Sequence, residues 1–427
     1  MARAACLLGI VLIFAAGGAD WPQFRGPTGT GFVVGTPPIK WTDSDGVKWK
    51  TALPGPGSSS PIILGDKAFV TCYSGYGVDA ANPGNIEKLM RHLVCVDRLS
   101  GKILWTKDVP ASDAEDKFSG YLNEHGYASN TPATDGEAIY AFFSKAGVVA
   151  FDLDGQTLWQ TSVGTESDER RWGSSASVIL HKNLVIVNAA SEGRAIVALD
   201  KKTGKQVWKA DGKRLSLSFS TPALVQSGNR TDLVVAMPGE VWGINPDTGK
   251  LLWYATIKPS GNVCPGVIGA DGTAYITGGF QTKGTTALKV GGSGDVTEKN
   301  TLWAVNKSSY VPTPVLHDGR LMNVTEDGFA VCMKAENGAV VYEERLSVKG
   351  VGGRGSRPFY ASPVAADGHL YAVSRRSGVY VLKVGDKFEL LQQNAPLDDS
   401  DFNATPAIVG KQMFLRSNKF LYCLEAQ

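Results

Sequence analysis

The chain has 427 residues, and its 43 Lys and Arg residues against 41 Asp and Glu residues give a formal net charge of +2. This balance excludes a protein that binds nucleic acid or an anionic membrane through a strongly basic surface. With 50 Gly and 21 Pro residues, the composition is typical of a folded protein with many turns and short strands, not of a disordered chain or a coiled coil.

The first 19 residues have the layout of a cleavable secretory signal. Arg3 precedes the apolar residues 7–16, and small residues follow up to Ala19, after which we predict cleavage. No later stretch approaches the roughly 20 apolar residues of a membrane helix, so we expect no transmembrane segment and a periplasmic or secreted protein. Cys6 precedes the apolar stretch, so no lipid anchor is expected.

One hairpin pattern recurs along the chain. An acidic or polar residue is followed by a glycine four positions later, or three in one case, and by an aromatic residue four positions after that glycine. The five matches are Asp97, Gly101 and Trp105; Asp152, Gly155 and Trp159; Asp200, Gly204 and Trp208; Asn245, Gly249 and Trp253; and Lys334, Gly338 and Tyr342. The pattern indicates two strands joined by a tight turn, because glycine supplies the positive φ that a hairpin bend needs.

A second marker opens each unit. It is a Pro or Ser at the start of a short apolar stretch, and the eight markers are Pro61, Pro132, Ser177, Pro222, Pro265, Pro314, Pro363 and Pro406. Units of about 45 residues, each long enough for two hairpins, predict the four-stranded blades of a β-propeller. The first unit is longer than the others, which indicates an insertion from Tyr76 to Arg91.

The two ends of the chain complement each other. The eighth unit lacks its last strand, whereas residues 46–53 form an isolated strand that carries the Gly and Trp of the pattern. Pairing the first strand with the last covers the edges that an open ring would expose. The sequence therefore predicts an all-β, eight-bladed β-propeller of four-stranded antiparallel blades, closed by the N-terminal strand and forming a single domain over residues 20–427.

The five cysteines after the signal sequence have neither the spacing of a zinc site nor that of an attached haem. Cys72 and Cys95 lie in neighbouring apolar stretches, so a cross-strand disulfide is one interpretation. The other is packing, because most of the residues two positions before each acidic or polar position are small. That column is Cys95, Ala150, Ala198, Gly243, Ala287, Cys332, Val381 and Cys423. A free cysteine suits it as a small apolar side chain.

The hairpin pattern, as in residues 198–208, resembles the pyrroloquinoline-quinone (PQQ) type repeat of quinoprotein dehydrogenases and of the outer-membrane assembly propeller. The stretch from Asp20 to Pro27 is similar to the start of many secreted bacterial PQQ-like propellers. Resemblance to the enzymes implies PQQ with calcium beside it, and resemblance to the assembly propeller implies a scaffold. The chain lacks the adjacent cysteine pair and the C-x-x-C-H motif of the enzymes.

The loops that precede the opening residues converge on one face of a propeller, around its channel. In these loops we predict ligand-binding residues, namely Glu124, His125, Asn130, Arg171, Trp172, Arg354, Arg357, Phe359 and Tyr360. Guanidinium groups beside aromatic rings suit a planar anionic molecule, and equally a protein partner. A general base, if the protein is an enzyme, would be sought at Glu124 and His125. No residue is assigned as catalytic or as a metal ligand.

These observations favour a secreted, non-catalytic binding or scaffold protein of the cell envelope, with its ligand or partner on the channel face. The expected partner is an envelope protein or a small anionic or aromatic ligand, and no cofactor is assigned. The alternative is a PQQ-dependent dehydrogenase of alcohols or sugars, which would use PQQ with calcium on the same face.

Overall fold

Eight antiparallel sheets surround a central channel, which confirms the predicted eight-bladed propeller. The computed structural model describes residues 20–348 and 357–426, so the predicted signal sequence and Arg354 lie outside the described residues. Within those ranges no helix is long and apolar enough to cross a lipid bilayer. The first strands of several neighbouring blades contact one another, so the first strand of a blade lines the channel and the fourth lies at the rim.

The blades are numbered 1 to 8 along the chain, and their strands are given from the channel outwards. Blade 1 consists of Ile62–Leu64, Lys67–Ser74, Met90–Asp97 and Ile103–Pro110, and blade 2 of Ala133–Thr134, Ala138–Phe142, Val148–Asp152 and Thr157–Thr161. Blade 3 consists of Ile179–His181, Leu184–Ala189, Ala195–Asp200 and Gln206–Asp211. Blade 4 consists of Ala223–Ser227, Arg230–Met237, Glu240–Ile244, Leu251–Thr256 and the added parallel strand Gly294–Asp295.

Blade 5 consists of Ile268–Ala270, Thr273–Gly278, Gly284–Lys289 and Thr301–Val305, and blade 6 of Val315–His317, Arg320–Val324, Phe329–Lys334 and Val340–Arg345. Blade 7 consists of Val364–Ala366, His369–Ser374, Gly378–Lys383 and Leu390–Asn394. Blade 8 consists of Ala407–Val409, Gln412–Arg416, Phe420–Glu425 and Val47–Ala52. Short helices lie in the connections, at Ile86–Lys88, Leu122–His125, Ser144–Ala146, Ala190–Gly193, Lys213–Leu215 and Thr297–Asn300.

In seven of the eight blades the residue of the small-residue column lies opposite the aromatic residue of the fourth strand, and in blade 7 Val381 lies opposite Gln392. Gly243 pairs with Trp253 across blade 4, and a Cβ on that glycine would lie 1.9 Å from Trp253 Cε2. Cys95 occupies the same position opposite Trp105 in blade 1. The packing interpretation is therefore confirmed, because an aromatic ring covers the backbone at these positions and leaves little room for a side chain.

All five cysteines of the described residues are free thiols. In the strand pairing of blade 1, Cys72 lies opposite His92 and Cys95 lies opposite Phe69. Cys95 is three positions from His92 along its strand, and an odd separation puts two side chains on opposite faces of a sheet. The two cysteines accordingly belong to different apolar clusters, so the disulfide considered from the sequence does not form.

The aromatic residue of one blade contacts the glycine turn of the next. The indole of Trp208 in blade 3 lies against Gly249 in blade 4, and its Nε1 donates to the Pro246 carbonyl oxygen at 2.9 Å. Trp49 of blade 8 docks on blade 1 in the same way, donating to the Arg98 carbonyl oxygen at 2.8 Å. The hairpin pattern therefore encodes the contact between blades as well as the bend.

The N-terminal strand closes the ring as predicted. Val47–Ala52 pairs antiparallel with Phe420–Glu425, and Trp49 lies opposite Cys423, the small residue of that blade. The first and last strands of the sequence thus form one sheet, and the ring of blades has no open edge between its ends.

The extra residues of the first unit are divided between two connections. One is residues 75–89, between the second and third strands of blade 1, and the other is residues 111–132, which lead to blade 2. Tyr76 from the first and Tyr127 from the second pack together, with ring centroids 5.9 Å apart. Arg91, which the sequence analysis placed in the insertion, belongs to the third strand, because marker spacing measures the length of a unit without locating its extra residues.

Residues 20–35 cross one end of the channel. Trp21 forms a β-bridge with blade 1, and Phe32 forms one with blade 7. Between them Arg25 is buried and donates to main-chain carbonyl oxygens of blades 6 and 7. The segment that carries the resemblance to other propellers therefore plugs the channel and joins blades that are distant in sequence.

Candidate functional site

The channel encloses a cavity of about 160 Å³ between this N-terminal plug and the loops of the opposite face. Phe24 of the plug lines one end, and the rings of Tyr121, Trp172, Tyr310 and Tyr360 line the mouth. A cavity of this size has room for several waters or one compact organic molecule.

Hydroxyl side chains form a belt around the cavity wall. In six places a main-chain N–H of one blade donates to the hydroxyl oxygen of the next, at 2.8 to 3.3 Å: Ser60 to Thr131, Thr131 to Ser177, Ser177 to Thr221, Gly266 to Thr313, Thr313 to Ser362, and Ser362 to Thr405. These bonds satisfy main-chain donors that no strand neighbour serves at the channel. The belt therefore links neighbouring blades at the same level where a ligand would lie.

The belt also shows that two blades open at later residues than predicted. Ser177 and Gly266 take the belt position, which elsewhere directly precedes the opening proline. Blade 3 therefore opens at Val178 and blade 5 at Val267, one and two residues later than predicted. The predicted opening residues of these two blades were wrong because a serine and a nearby proline matched the marker out of register.

Part of the mouth of the cavity is covered by the helix Leu122–His125 and the residue before it, together called the cap (residues 121–125). The cap connects blades 1 and 2 in sequence, yet it is bonded to blades on the other side of the ring. The Glu124 carboxylate accepts from Arg375 of blade 7 at 2.7 Å, and its carbonyl oxygen accepts from Asn403, which precedes blade 8, at 3.0 Å. These contacts reach across the channel.

His125 has both ring nitrogens engaged. Nε2 donates to the carbonyl oxygen of Trp172 at 2.8 Å, and Nδ1 lies 2.6 Å from the hydroxyl of Ser129. Burial lowers the pKa of His125, which favours the neutral ring. Since neither nitrogen is free to take a proton from a substrate, the geometry gives this histidine a positioning role in the mouth of the cavity.

Six side chains form a continuous strip of aromatic and arginine groups across the channel face, called the aromatic–arginine strip: Arg170, Trp172, Tyr121, Arg357, Tyr310 and Phe280. The guanidinium carbon of Arg170 lies 4.8 Å from the Trp172 ring centre, and the Trp172 and Tyr121 rings are 4.5 Å apart. The Arg357 guanidinium lies 5.2 Å from Tyr121 and 4.6 Å from Tyr310, whose ring is 5.8 Å from that of Phe280.

Four of the predicted site residues line the cavity, namely Glu124, His125, Trp172 and Tyr360. Arg357 lies beside them, where its guanidinium donates to the Tyr121 hydroxyl. The structure therefore brings together residues from three of the loops that were singled out in the sequence.

Three other predicted residues lie elsewhere. Asn130 is buried, and its side chain donates to the Ala176 carbonyl oxygen at 2.8 Å. Phe359 packs in the core against Tyr380, with ring centroids 5.6 Å apart, since consecutive residues of an extended chain face opposite ways. Arg171 is exposed on the channel face and does not line the cavity. Arg354 lies outside the described residues.

Sequence reasoning missed Phe24, Tyr310 and the hydroxyl belt. A signal for the belt is present, because a Ser or Thr directly precedes six of the opening prolines: Ser60, Thr131, Thr221, Thr313, Ser362 and Thr405. Phe24 belongs to a segment whose path along the channel is not encoded locally. Tyr310 stands in a short loop that no repeat pattern marked.

The lining of the cavity determines whether PQQ with calcium could bind there. PQQ carries several carboxylates and needs several unpaired cations. Of the two guanidinium groups at the mouth, that of Arg375 is bound by Glu124 at 2.7 Å and by Asp401 at 2.5 Å, and only Arg357 has no carboxylate partner among the described residues. Glu124 itself adds a negative charge to the lining. Within residues 20–348 and 357–426 no group of three acidic, cysteine or histidine side chains is placed to hold a metal ion. The residues therefore do not fit this cofactor.

Fold and site define an eight-bladed propeller with a plugged channel and a small capped cavity. The chain matches the family described as outer membrane protein assembly factor BamB over residues 29–177, 86–210, 171–264 and 292–420. These matches cover most of the sequence, so the chain belongs to this family of PQQ-like propellers. It is 23% identical over 364 residues to the outer membrane protein assembly factor BamB of Yersinia pestis, covering 81% of each chain.

Solved structures show the same architecture. BamB from Moraxella catarrhalis superposes with a TM-score of 0.58 at 12% identity, covering 88% of this chain and 99% of that one. A europium-containing methanol dehydrogenase superposes with a TM-score of 0.66 at 11% identity, covering 96% and 98%. At these identities the likeness shows the propeller fold alone, which an assembly factor and an enzyme share.

Proposed function

We propose that this chain is a non-catalytic propeller of the cell envelope that binds a protein partner through its channel face. The observation that carries the proposal is the aromatic–arginine strip. Arginine and large aromatic side chains are enriched at the energetic centres of protein interfaces. The strip ends at Phe280, whose side chain is 49% exposed on the channel face.

The charges of the strip favour an acidic partner surface. Arg170 and Arg171 are exposed, and the Arg357 guanidinium contacts tyrosine hydroxyls but, among the described residues, no carboxylate. A carboxylate is a stronger acceptor for a guanidinium than a neutral hydroxyl, because both groups are ionised. An acidic segment laid across the mouth would therefore find three guanidinium groups and a row of rings.

Two further facts support this proposal over the dehydrogenase alternative. His125 has no free ring nitrogen, and the cavity lining does not fit PQQ with calcium. Membership of a family described as an outer membrane assembly factor, together with the signal-like residues 1–19, supports a location in the envelope, periplasmic or secreted, with a protein as partner.

The proposal is tested by site-specific photo-crosslinking in the native host. A photoreactive amino acid is placed at Arg171 or Phe280 on the channel face, and at Lys202 in an exposed turn of the opposite face as the control. We expect one discrete protein adduct from the two channel-face positions and none from Lys202. An equal adduct from all three positions, or none from any, contradicts the proposal.

Charge reversal separates specific binding from mere proximity. Arg170→Glu together with Arg171→Glu is expected to abolish the adduct formed from Phe280, because an acidic partner would then meet like charge. Lys202→Glu changes the charge of the opposite face and is expected to leave the adduct intact. Loss of the adduct in both variants would mean that net charge, and not the strip, controls binding.

A further inference from the structure

The cap is held over the cavity mainly by polar contacts. Leu122 is the buried residue of its helix, and the other cap residues are partly or fully exposed. Apolar packing therefore anchors the cap at Leu122 and at the Tyr121 ring, which lies 4.5 Å from that of Trp172, whereas its contacts with the far side of the channel include hydrogen bonds and one ion pair. Elements with few buried apolar contacts are the first to open locally in a folded protein.

Glycines flank the cap on both sides. Gly120 has φ 58° and Gly126 has φ 71°, both in the left-handed region. Glycine crosses between backbone conformations with a smaller steric barrier than other residues. A short helix between two such positions has the construction of a hinged element, in which a few backbone angles absorb the movement.

Two arginines close the cap from the opposite side of the ring. Arg375 holds the Glu124 carboxylate at 2.7 Å, and Arg357 donates to the Tyr121 hydroxyl. The Glu124 side chain is 40% exposed and that of Arg375 is 18% exposed. An ion pair in contact with solvent is weakened by salt. A higher salt concentration therefore weakens the contact between Glu124 and Arg375.

We propose that the cap is a gate for the channel cavity, closed by Arg357 and Arg375 and hinged at Gly120 and Gly126. When the two arginine contacts break, the cap turns away from the mouth and small molecules reach the hydroxyl belt. The gate depends on contacts within this chain and does not rest on the proposed protein partner.

Cys264 reports the opening. It lines the cavity beneath the mouth and is partly exposed there, and desolvation by its surroundings raises the pKa of its thiol to about 12. The other cysteines of the described residues, Cys72, Cys95, Cys332 and Cys423, have no exposed surface. Opening of the gate therefore increases the access of a thiol reagent to one thiol per chain and speeds its modification, whereas global unfolding exposes all of them.

The experiment is labelling of the native mature protein with dithionitrobenzoate at fixed pH. Arg375→Ala and Arg357→Ala are each expected to accelerate the modification of one thiol by about fivefold or more. Arg376→Ala is the matched control, because Arg376 is on the same loop and is paired with Asp401, not with the cap. Cys264→Ser in the same backgrounds is expected to remove the fast phase.

Salt gives an independent measurement that needs no destabilising variant. Raising the sodium chloride concentration is expected to speed labelling of Cys264 in the unmodified protein and to have a smaller effect in Glu124→Gln, which lacks the ion pair. The proposal is overturned if both arginine variants react at the rate of Arg376→Ala. It is also overturned if the fast thiol persists after Cys264→Ser.

Discussion

Trp208 covers the turn at Gly249 so closely that a Cβ on the glycine would lie 2.6 Å from the indole ring. Gly249 also has φ 74°, so two independent requirements fall on one position. The backbone must turn in the left-handed region, and the neighbouring blade needs the space of the absent side chain. This double requirement explains why the glycine and the tryptophan recur together in successive units.

Gly249→Ala is therefore expected to lower the free energy of unfolding by about 2 to 3 kcal/mol, through backbone strain and a clash with Trp208. Gly239→Ala is the matched control in the same blade, because Gly239 has φ 76° with open space around it. The control should lose only about 1 kcal/mol. Urea unfolding followed by tryptophan fluorescence measures both, and equal losses would contradict the docking argument.

The closing strand is expected to contribute strongly to stability. Replacing residues 47–52 by a Gly–Ser segment of the same length removes the fourth strand of blade 8 and the docking of Trp49 on blade 1. We expect the Tm to fall by about 10 °C or more. The same replacement in the exposed residues 78–82 should leave the Tm nearly unchanged, and a similar fall in both variants would count against closure by this strand.

The buried carboxyl group of Glu192 is expected to make the free energy of unfolding depend on pH. Its side chain is fully buried beside Ser144, whose hydroxyl donates to Oε1 at 2.6 Å, and burial raises the pKa of this carboxyl to about 7. The folded state thus keeps a proton that the unfolded chain releases near pH 4.5. Stability contributed by this group falls as the pH rises from 4.5 to 7, by about 3 kcal/mol in total, and is constant above that.

The measurement is urea unfolding at pH 5 and pH 8. Glu192→Gln keeps the shape of the side chain without the titration, so its loss of stability between the two pH values should be smaller than that of the unmodified protein. Glu166→Gln changes an exposed carboxylate nearby and should behave like the unmodified protein. If Glu192→Gln shows the full pH dependence, another group is responsible.

The strands and turns were predictable because their determinants are local. A glycine that requires positive φ and an aromatic residue four positions later stand within one hairpin, so the repeat is visible in the sequence at Gly204 and Trp208. The closing strand was predictable for the same reason, since residues 46–53 carry one half of a pattern whose other half is missing at the C-terminus.

The candidate site was predictable only as a set of loops. From the sequence, Tyr360 and Phe359 were both predicted as ligand-binding residues of one loop. Only the backbone direction decides that Tyr360 faces the cavity while Phe359 enters the core. Similarly, the charge on Arg375 is visible in the sequence, but its attachment to the cap depends on how the loops meet above the channel.

The sequence by itself determined the number of blades, their four-stranded form and the closure of the ring, because each follows from contacts within a unit or between neighbouring units. Only the tertiary structure decided the plug, the cap and the aromatic–arginine strip. Arg357 and Tyr121 are 236 residues apart, and Arg25 is 338 residues from the carbonyl of Pro363 that it binds. A closed ring brings such positions together around one axis, and the repeat pattern of the sequence does not predict which side chains contact one another there.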